Sequence, residues 1–340
     1  SNMKFLTLIV EWSLENRVIV LAATALFFFF GLDSARKLKM DAIPDVTTIQ
    51  GEVITSAPAI SPLEIEQYVT FPVERSMSGI PHVEEVRSIS RYGLSVVTIV
   101  FKDSMNIFLA RQLVGERLAD AVNNIPKGYG TPTMGPISTG LGEIYQFTLS
   151  SRNHSLMELT TYLNWYINPI LKTIPGVVEV NTFGGHVKQY QIILNMERMQ
   201  SLGIVMTDVI EALQKNNASM GGGYIEHNKE HFVIVASGLA GSLDDLGKVF
   251  IGKTKEGTPI SLSMIADLKY GARLRLGATT KDGGGEVVGA IALMLMKENS
   301  LHVSEAVHLK LEELKKTLPE GIIVETYYDR QIYLNHKLIE

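Results

Sequence analysis

Residues Val18 to Leu32 (VIVLAATALFFFFGL) form fifteen consecutive uncharged, apolar positions, bounded by Arg17 and Asp33. Behind them lie roughly 300 residues of ordinary soluble character, enough for two or three domains. Such a chain is tied to a membrane at one end and works in water at the other. The run is shorter than the ~20 residues that span a hydrocarbon core. Phe5, Leu6, Leu8, Ile9 and Val10 extend its character upstream, so one helix is expected to lie along the surface from Lys4 and enter the bilayer near Arg17. A secretory signal is the competing reading, but Leu32-Asp33-Ser34-Ala35 is a poor cleavage site. Either way, the bulk of the chain is sent across the inner membrane. Lys4 and Arg17 are answered by Arg36, Lys37 and Lys39, so charge bias does not orient the helix. Ser1-Asn2 ahead of Met3 reads as the remnant of a cleaved tag.

Composition removes several function classes. The net charge of −5 argues against a nucleic-acid partner, which calls for a basic face. With no cysteine, disulfides, thiolate metal sites and a lipoprotein anchor are excluded.

An internal repeat organises the rest. Ile80-Pro81-His82-Val83-Glu84-Glu85-Val86 returns as Ile174-Pro175-Gly176-Val177-Val178-Glu179-Val180, each after an amphipathic helical stretch, Pro62 to Met77 and Leu156 to Thr173. Proline stops each helix and β-branched residues begin a strand. Ile125-Pro126-Lys127-Gly128 is likewise echoed by Leu318-Pro319-Glu320-Gly321, closing helical patterns at Ile107 to Asn124 and His302 to Thr317. The first copy reads strand (Thr48 to Thr55), helix, strands (Val83 to Ser90, Ser95 to Phe101), helix: the order of a ferredoxin-like split βαβ unit. The second begins with strands Ile144 to Leu149 and Val177 to Thr182, but its remaining strands, Glu286 to Met296 and Ile322 to Tyr327, arrive only after an insertion. The insertion carries a helix at Thr207 to Gln214 and strands at Tyr190 to Leu194 and Phe232 to Val235. The fold class is therefore α+β. Expected boundaries are 1–36 for the tag remnant, interfacial segment and membrane helix, and 37–135 for the first unit. The second unit is 136–186 with 274–328, interrupted by 187–273, and 329–340 leads out.

Candidate chemistry is sparse. Gly135 to Glu143 (GPISTGLGE) is glycine-rich but lacks the Gly-Lys-Ser/Thr of a phosphate loop and precedes a strand, so it reads as a linker. Glu143, beside it, is a carboxylate suited to a hard or borderline cation, or simply an exposed strand-edge residue. His227 and His231 would share a helix face, but Tyr224-Ile225 and Phe232 to Val235 favour a hairpin turning at Asn228-Lys229. No nucleophile elbow is present, and no catalytic site or cofactor is expected. Met196, Met199, Met294 and Met296 suit core packing. Gly221 to Gly223 and Gly283 to Gly285 suit loops or hairpin ends.

An ordered set of motifs closely resembles the heavy-metal efflux pumps of the resistance-nodulation-division superfamily, of the cobalt–zinc–cadmium type. They are Asp41-Ala42-Ile43-Pro44-Asp45, Ser90-Arg91-Tyr92-Gly93-Leu94-Ser95, Phe101-Lys102-Asp103, Met134 to Tyr145 (MGPISTGLGEIY), Phe183-Gly184-Gly185 and Tyr328-Asp329-Arg330. The resemblance runs from Met3 to the end and corresponds to a pump's N-terminal third. It implies a first transmembrane helix, two porter subdomains, and a docking subdomain inserted into the second. It also implies a trimeric proton/cation antiporter of the inner membrane whose periplasmic part passes divalent metal (Zn, Co or Cd) through a periplasmic adaptor to an outer-membrane channel. Glu143 falls where the copper/silver branch carries Trp in a related G-x-G-W-I-Y motif, and a carboxylate there suits Zn²⁺ or Co²⁺ better than soft Cu⁺. The resemblance thus implies Glu143 as a pathway ligand, with Glu179 and His186 as further candidates. His227 and His231 fall where relatives carry Arg and Gln. The alternatives are a fragment of an exporter of drugs or other amphipathic molecules, whose cleft would be lined by aromatics, or a stand-alone periplasmic module that binds metal or adaptor.

Overall fold

Both units open their first helix with the same four residues of chemistry. In Ser61-Pro62-Leu63-Glu64 and Ser155-Leu156-Met157-Glu158 the serine hydroxyl accepts from the glutamate N–H, and the glutamate carboxylate accepts from the serine N–H. These are capping boxes, which satisfy two orphan donors at once. The computed structural model describes residues 10–36, 47–57, 59–138, 142–216, 219–227, 230–237, 241–254, 256–275 and 277–332. The Asp41 to Asp45 motif and Asn228-Lys229 lie outside these.

Helix α1 (Arg17–Arg36) is long and apolar enough to cross a membrane, and none of its window from Arg17 to Ser34 is buried against the rest of the chain. Strand β1 (Gln50–Ser56) follows, then α2, which runs as Pro62–Ile65, a π-turn at Glu66–Thr70, and Phe71–Met77. Next come β2 (Val83–Arg91), β3 (Leu94–Phe101), α3 (Ile107–Asn124) and β4 (Pro132–Met134). The second unit repeats this with β5 (Glu143–Ser151), then α4, which runs as Leu156–Tyr162, a π-turn at Leu163–Ile167, and Asn168–Leu171. It continues with β6 (Val177–Gly184). In both α2 and α4 a proline, Pro72 or Pro169, stands second after the π-turn. It has no N–H to give the preceding turn, and the widened turn absorbs the missing bond.

Between β6 and the rest of the second unit lies the insertion. It contains β7 (Lys188–Leu194), α5 (Met196–Leu202), α6 (Met206–Asn216), β8 (Ser219–His227), β9 (Glu230–Ser237), α7 (Leu243–Gly247), β10 (Phe250–Lys253), β11 (Pro259–Ser261), α8 (Leu262–Ile265) and β12 (Ala266–Ala272). Strands β7 and β12 pair as an antiparallel ribbon, from Lys188 opposite Ala272 to Leu194 opposite Ala266. Met199, Val209, Ile251, Ile260, Leu262 and Ile265 form its own small core. The second unit then resumes with β13 (Val288–Met294), α9 (Ser300–Lys315) and β14 (Ile322–Asp329).

The two large sheets have orders β2-β3-β1-β4 and β14-β5-β13-β6, with every neighbouring pair antiparallel. Substituting β5, β6, β13 and β14 for β1 to β4 turns one order into the other. Each sheet buries one face under its two helices. In the first, Val73, Met77, Ala110, Val114 and Ala121 pack on Val53, Val97, Ile99 and Phe101. In the second, Leu159, Leu163, Ile167, Val303, Val307 and Leu311 pack on Tyr145, Phe147, Leu149, Val288, Ala290 and Ala292. The second helix of each unit is capped alike: Asn106 accepts from the N–H groups of Phe108 and Leu109, and Asn299 from those of Leu301 and His302.

Several expectations change. Gly221 to Gly223 lie within β8, where the register against β9 slips between Gly221 and Tyr224; a glycine run here marks an irregular strand, not its end. The hairpin expected here is borne out: Glu226 and His227 stand opposite His231 and Glu230, so His227 and His231 sit on strands rather than one helix face. Met196 is exposed whereas Met199 is buried, because Met196 opens the first turn of α5, outside its core stripe. The strand expected over Glu286 to Met296 shortens, since Glu286 closes a turn by bridging Thr280 and Met296 turns away to pack on the first unit's core. His82 adopts a left-handed φ of 62°, and its repeat partner Gly176 one of 91°. Glycine is required in the second copy, where a Cβ would stand 2.7 Å from Val303.

Replacing Asn299 with Ala removes a helix cap and is expected to cost about 1 kcal/mol in urea denaturation of the detergent-solubilised chain. Gly185 has a φ of +68°, and a Cβ there would stand 2.2 Å from Thr160 Oγ1. Gly185→Ala is therefore expected to cost more than the cap, about 1–3 kcal/mol. An unchanged midpoint for either variant contradicts the packing described.

Candidate metal-pathway carboxylates

Glu143 is placed by a fastened linker and a bulge. Ser138 donates to the Met294 carbonyl at 2.9 Å, and Met296 N–H to the Ile137 carbonyl at 3.3 Å. Gly142 leaves room for this bond: a Cβ there would stand 2.0 Å from the Ser138 hydroxyl and force it to turn. The β5–β13 ladder pairs Tyr145 with Ala292 and then Glu143 with Leu293, leaving Ile144 as the extra residue. In an unbroken strand Glu143 would share the helix-covered face with Tyr145, two positions on. The bulge re-aims it, as bulges do, and sets it beside Leu293, which is no part of the helix-side core. Its carboxylate accepts from Gln146 Nε2 at 3.1 Å. The Tyr327 hydroxyl is pushed up first by burial and then by the negative charge of Glu143.

Glu179 meets the same row from the other side. The β6–β13 ladder pairs it with Leu293 too, so Glu143, Leu293 and Glu179 form one cross-strand row on the face without helices. Cross-strand partners share a face, and two strand spacings put the carboxylate backbones about 10 Å apart. Leu293, 8% exposed, is the apolar floor between them. Strand β6 is the outer strand of its sheet, and Lys172, just past the end of α4, bonds the Glu179 carboxylate at 2.5 Å.

His186 is not brought to this row. It lies beyond the end of β6, where its backbone N–H donates to Thr160 Oγ1 at 3.1 Å and its Nδ1 is buried without a partner among the described residues. Its acidic neighbour is Glu286, held below the ordinary carboxylate range by hydrogen bonding from Arg275. Among the described residues no three His, Asp or Glu side chains gather as a metal centre. What the row offers is two half-exposed carboxylates at hydrogen-bonding rest. Such groups attract a divalent ion without trapping it.

Sequence reasoning missed a second polar group. Asp329, the last residue of β14, is buried and accepts from Ser304 Oγ at 2.7 Å and from Gln331 N–H at 2.9 Å. The Tyr145 hydroxyl stands 2.8 Å from Thr326 Oγ1 and 3.0 Å from His308 Nδ1. Tyr328-Asp329-Arg330 signalled this place only as a motif; nothing in its spacing showed that Asp329 and Arg330 are buried.

With this geometry in hand, comparison with known proteins assigns the chain. A family model described as the AcrB/AcrD/AcrF family matches residues 9–339. The chain belongs to that family. It is 43% identical over 331 residues to the cation efflux system protein CzcA of Alcaligenes sp. (strain CT14), covering 95% of this chain and 31% of that protein. It is 35% identical over 349 residues to the nickel-cobalt-cadmium resistance protein NccA of Alcaligenes xylosoxydans xylosoxydans, covering 93% and 32%. A crystal structure of a heavy metal efflux pump superposes with a TM-score of 0.84 at 29% identity, over 96% of this chain and 32% of that one. The chain thus spans about a third of the length of these relatives.

Burial pushes the Tyr145 hydroxyl up to about 12; its bond to Thr326, the next-largest effect, opposes this, and the charges of Asp329 and Glu312 add smaller upward pushes. An unfolded chain releases this proton near pH 10 and the folded chain only near 12, so stability falls as pH rises through that window. Tyr145→Phe is expected to flatten the alkaline fall in thermal midpoint between pH 10 and 12, and an equal slope in both proteins contradicts it.

Proposed function

We propose that this chain is the N-terminal porter and docking portion of a proton-driven heavy-metal efflux pump of the Zn, Co or Cd type. In this reading α1 crosses the inner membrane and the remainder stands in the periplasm. The two four-stranded units are porter subdomains of the ferredoxin-like split βαβ kind, spanning 37–135 and 136–186 with 274–328. The inserted segment 187–273 is the docking subdomain. The whole pump works as a homotrimer that hands metal to a periplasmic adaptor and an outer-membrane channel.

The observation that carries the reading is the 331-residue match, at 43% identity, to a cation efflux protein. The shared order of the two sheets and a helix able to cross a membrane support the layout. The cargo side rests on the row Glu143–Leu293–Glu179. Oxygen ligands from carboxylates suit Zn²⁺ and Co²⁺, and two of them flanking an apolar floor make a way-station when other ligands complete the shell. His186, with an unpartnered buried Nδ1, is a third candidate, at the root of the inserted segment rather than in the row.

Growth of cells carrying the full-length pump on graded zinc, cobalt, cadmium and copper tests this. Glu143→Gln and Glu179→Gln are each expected to lower the tolerated zinc or cobalt concentration while leaving dye and detergent tolerance unchanged. A pump that alters only dye or detergent tolerance overturns the metal assignment.

A further inference from the structure

Asn168 poses a problem that the rest of the structure does not solve. It is 6% exposed, its Nδ2 donates to Thr182 Oγ1 at 2.8 Å and reaches the Val180 carbonyl at 3.4 Å, and its Oδ1 is buried with no partner among the described residues. The amide is not simply turned round. Thr182 donates its one hydroxyl proton to Asn164 Oδ1 at 2.6 Å, so its oxygen needs a donor from Asn168. A buried carbonyl oxygen left bare costs about 1–3 kcal/mol, and such an atom calls for a donor that is present in another state.

One donor lies on the same stripe of the helix. Asn164, Asn168 and Lys172 stand four residues apart on one stripe of α4 and its C-terminal cap, where side chains are neighbours. All three line a cavity of about 510 Å³ along β6, with Val180, Asn181 and Thr182 on its other wall. Lys172 now places its ammonium on Glu179 instead. Both side chains of that pair are partly open to water, 42% and 34% exposed, so the pair is weak enough to exchange.

We propose that Lys172 is a resident counter-cation with two positions. Without metal it occupies Glu179; when a divalent ion reaches the row, its ammonium swings into the cavity and donates to Asn168 Oδ1. This rests on the reading of Glu143 and Glu179 as cargo ligands. The lysine lowers affinity for the ion and keeps Glu179 neutralised between passages, and Asn168 lowers the cost of moving it aside. A metal station in a pump must let its ion go, and an ammonium that returns to Glu179 competes the ion off.

Zinc titration calorimetry of the full chain in detergent, at low ionic strength in a non-chelating buffer, tests the proposal. Lys172→Met is expected to tighten Zn²⁺ binding about three- to tenfold, and Lys172→Arg to stay near wild type because a guanidinium still pairs with Glu179. Asn168→Ala is expected to weaken binding about two- to fivefold when Lys172 is present and to have no effect in the Lys172→Met background. That comparison separates the proposed role from a general loss of structure, which would weaken both. Lys172→Met binding no tighter than wild type, or Asn168→Ala acting equally in both backgrounds, overturns the two-position lysine. If Glu143→Gln and Glu179→Gln leave zinc binding unchanged, or no form takes up zinc, the cargo reading falls instead and takes this proposal with it.

Discussion

Everything in the second unit depends on one closure. Strand β13 must lie between β5 and β6, yet about 100 residues separate β6 from it, and bringing the ends of so long a loop together carries an entropic cost. The ribbon of β7 and β12 meets that cost by making the closure local. It holds the two ends of the insertion side by side over seven cross-strand pairs, and the Arg273 N–H bonds the Val187 carbonyl at its base. Two left-handed glycines, Gly184 and Gly185, then turn the chain out of β6 against Thr279, Thr160 and Val288, at distances no Cβ would tolerate. Gln191 crosses the ribbon to the Ala272 carbonyl through space left by Gly271. Only when this base is closed does Leu293 acquire a carboxylate on each side.

The same closure explains why the site is shared among three strands far apart in sequence. Glu143 precedes the first helix of its unit, Glu179 follows it, and Leu293 lies beyond the insertion. The row is a product of register, and register carries two bulges: Ile144 against Ala292 and Leu293, and Val178 against Leu293 and Met294. Each moves a side chain from one face to the other, so a period-two reading of β5 assigns Glu143 to the wrong side.

Much of the architecture was legible because it was written twice. The Ile-Pro echoes, the helices they close and the gap in the second copy follow from hydrophobic period and helix-stop chemistry. Gly128 and Gly321, with φ of 98° and 89°, show that the second echo encodes a left-handed turn in both units. Less legible were features that arise only when elements meet. The π-turns come from Pro72 and Pro169 in otherwise regular helical patterns, where an abrupt helix end was the competing outcome. Gly221 to Gly223 looked like a break because glycine weakens strands, but pairing with β9 overrides that preference. Glu143 was visible as a carboxylate after a glycine-rich stretch, and Glu179 as a candidate through resemblance; their meeting across Leu293 was not, since no local pattern reports a cross-strand neighbour 150 residues away. Lys172 carried no signal at all beyond its place near a helix end.

The two units also differ where their common plan leaves room. In the first, the residue delivered to the sheet at the π-turn is Thr70, whose hydroxyl lies 2.8 Å from both Ser90 and Ser95 and is fully satisfied. In the second, Asn168 stands just past the π-turn and reaches Thr182 on β6. An amide has one more acceptor than this setting uses, and the surplus oxygen is left bare. A fold shaped by stability alone would keep the hydroxyl solution in both copies, because a satisfied polar contact is cheaper than a half-satisfied one. The copy that departs from it is the one whose outer strand carries Glu179 and whose open face holds the carboxylate row. Duplication supplied two equivalent scaffolds, and the polar excess collected on the one that carries the carboxylate row.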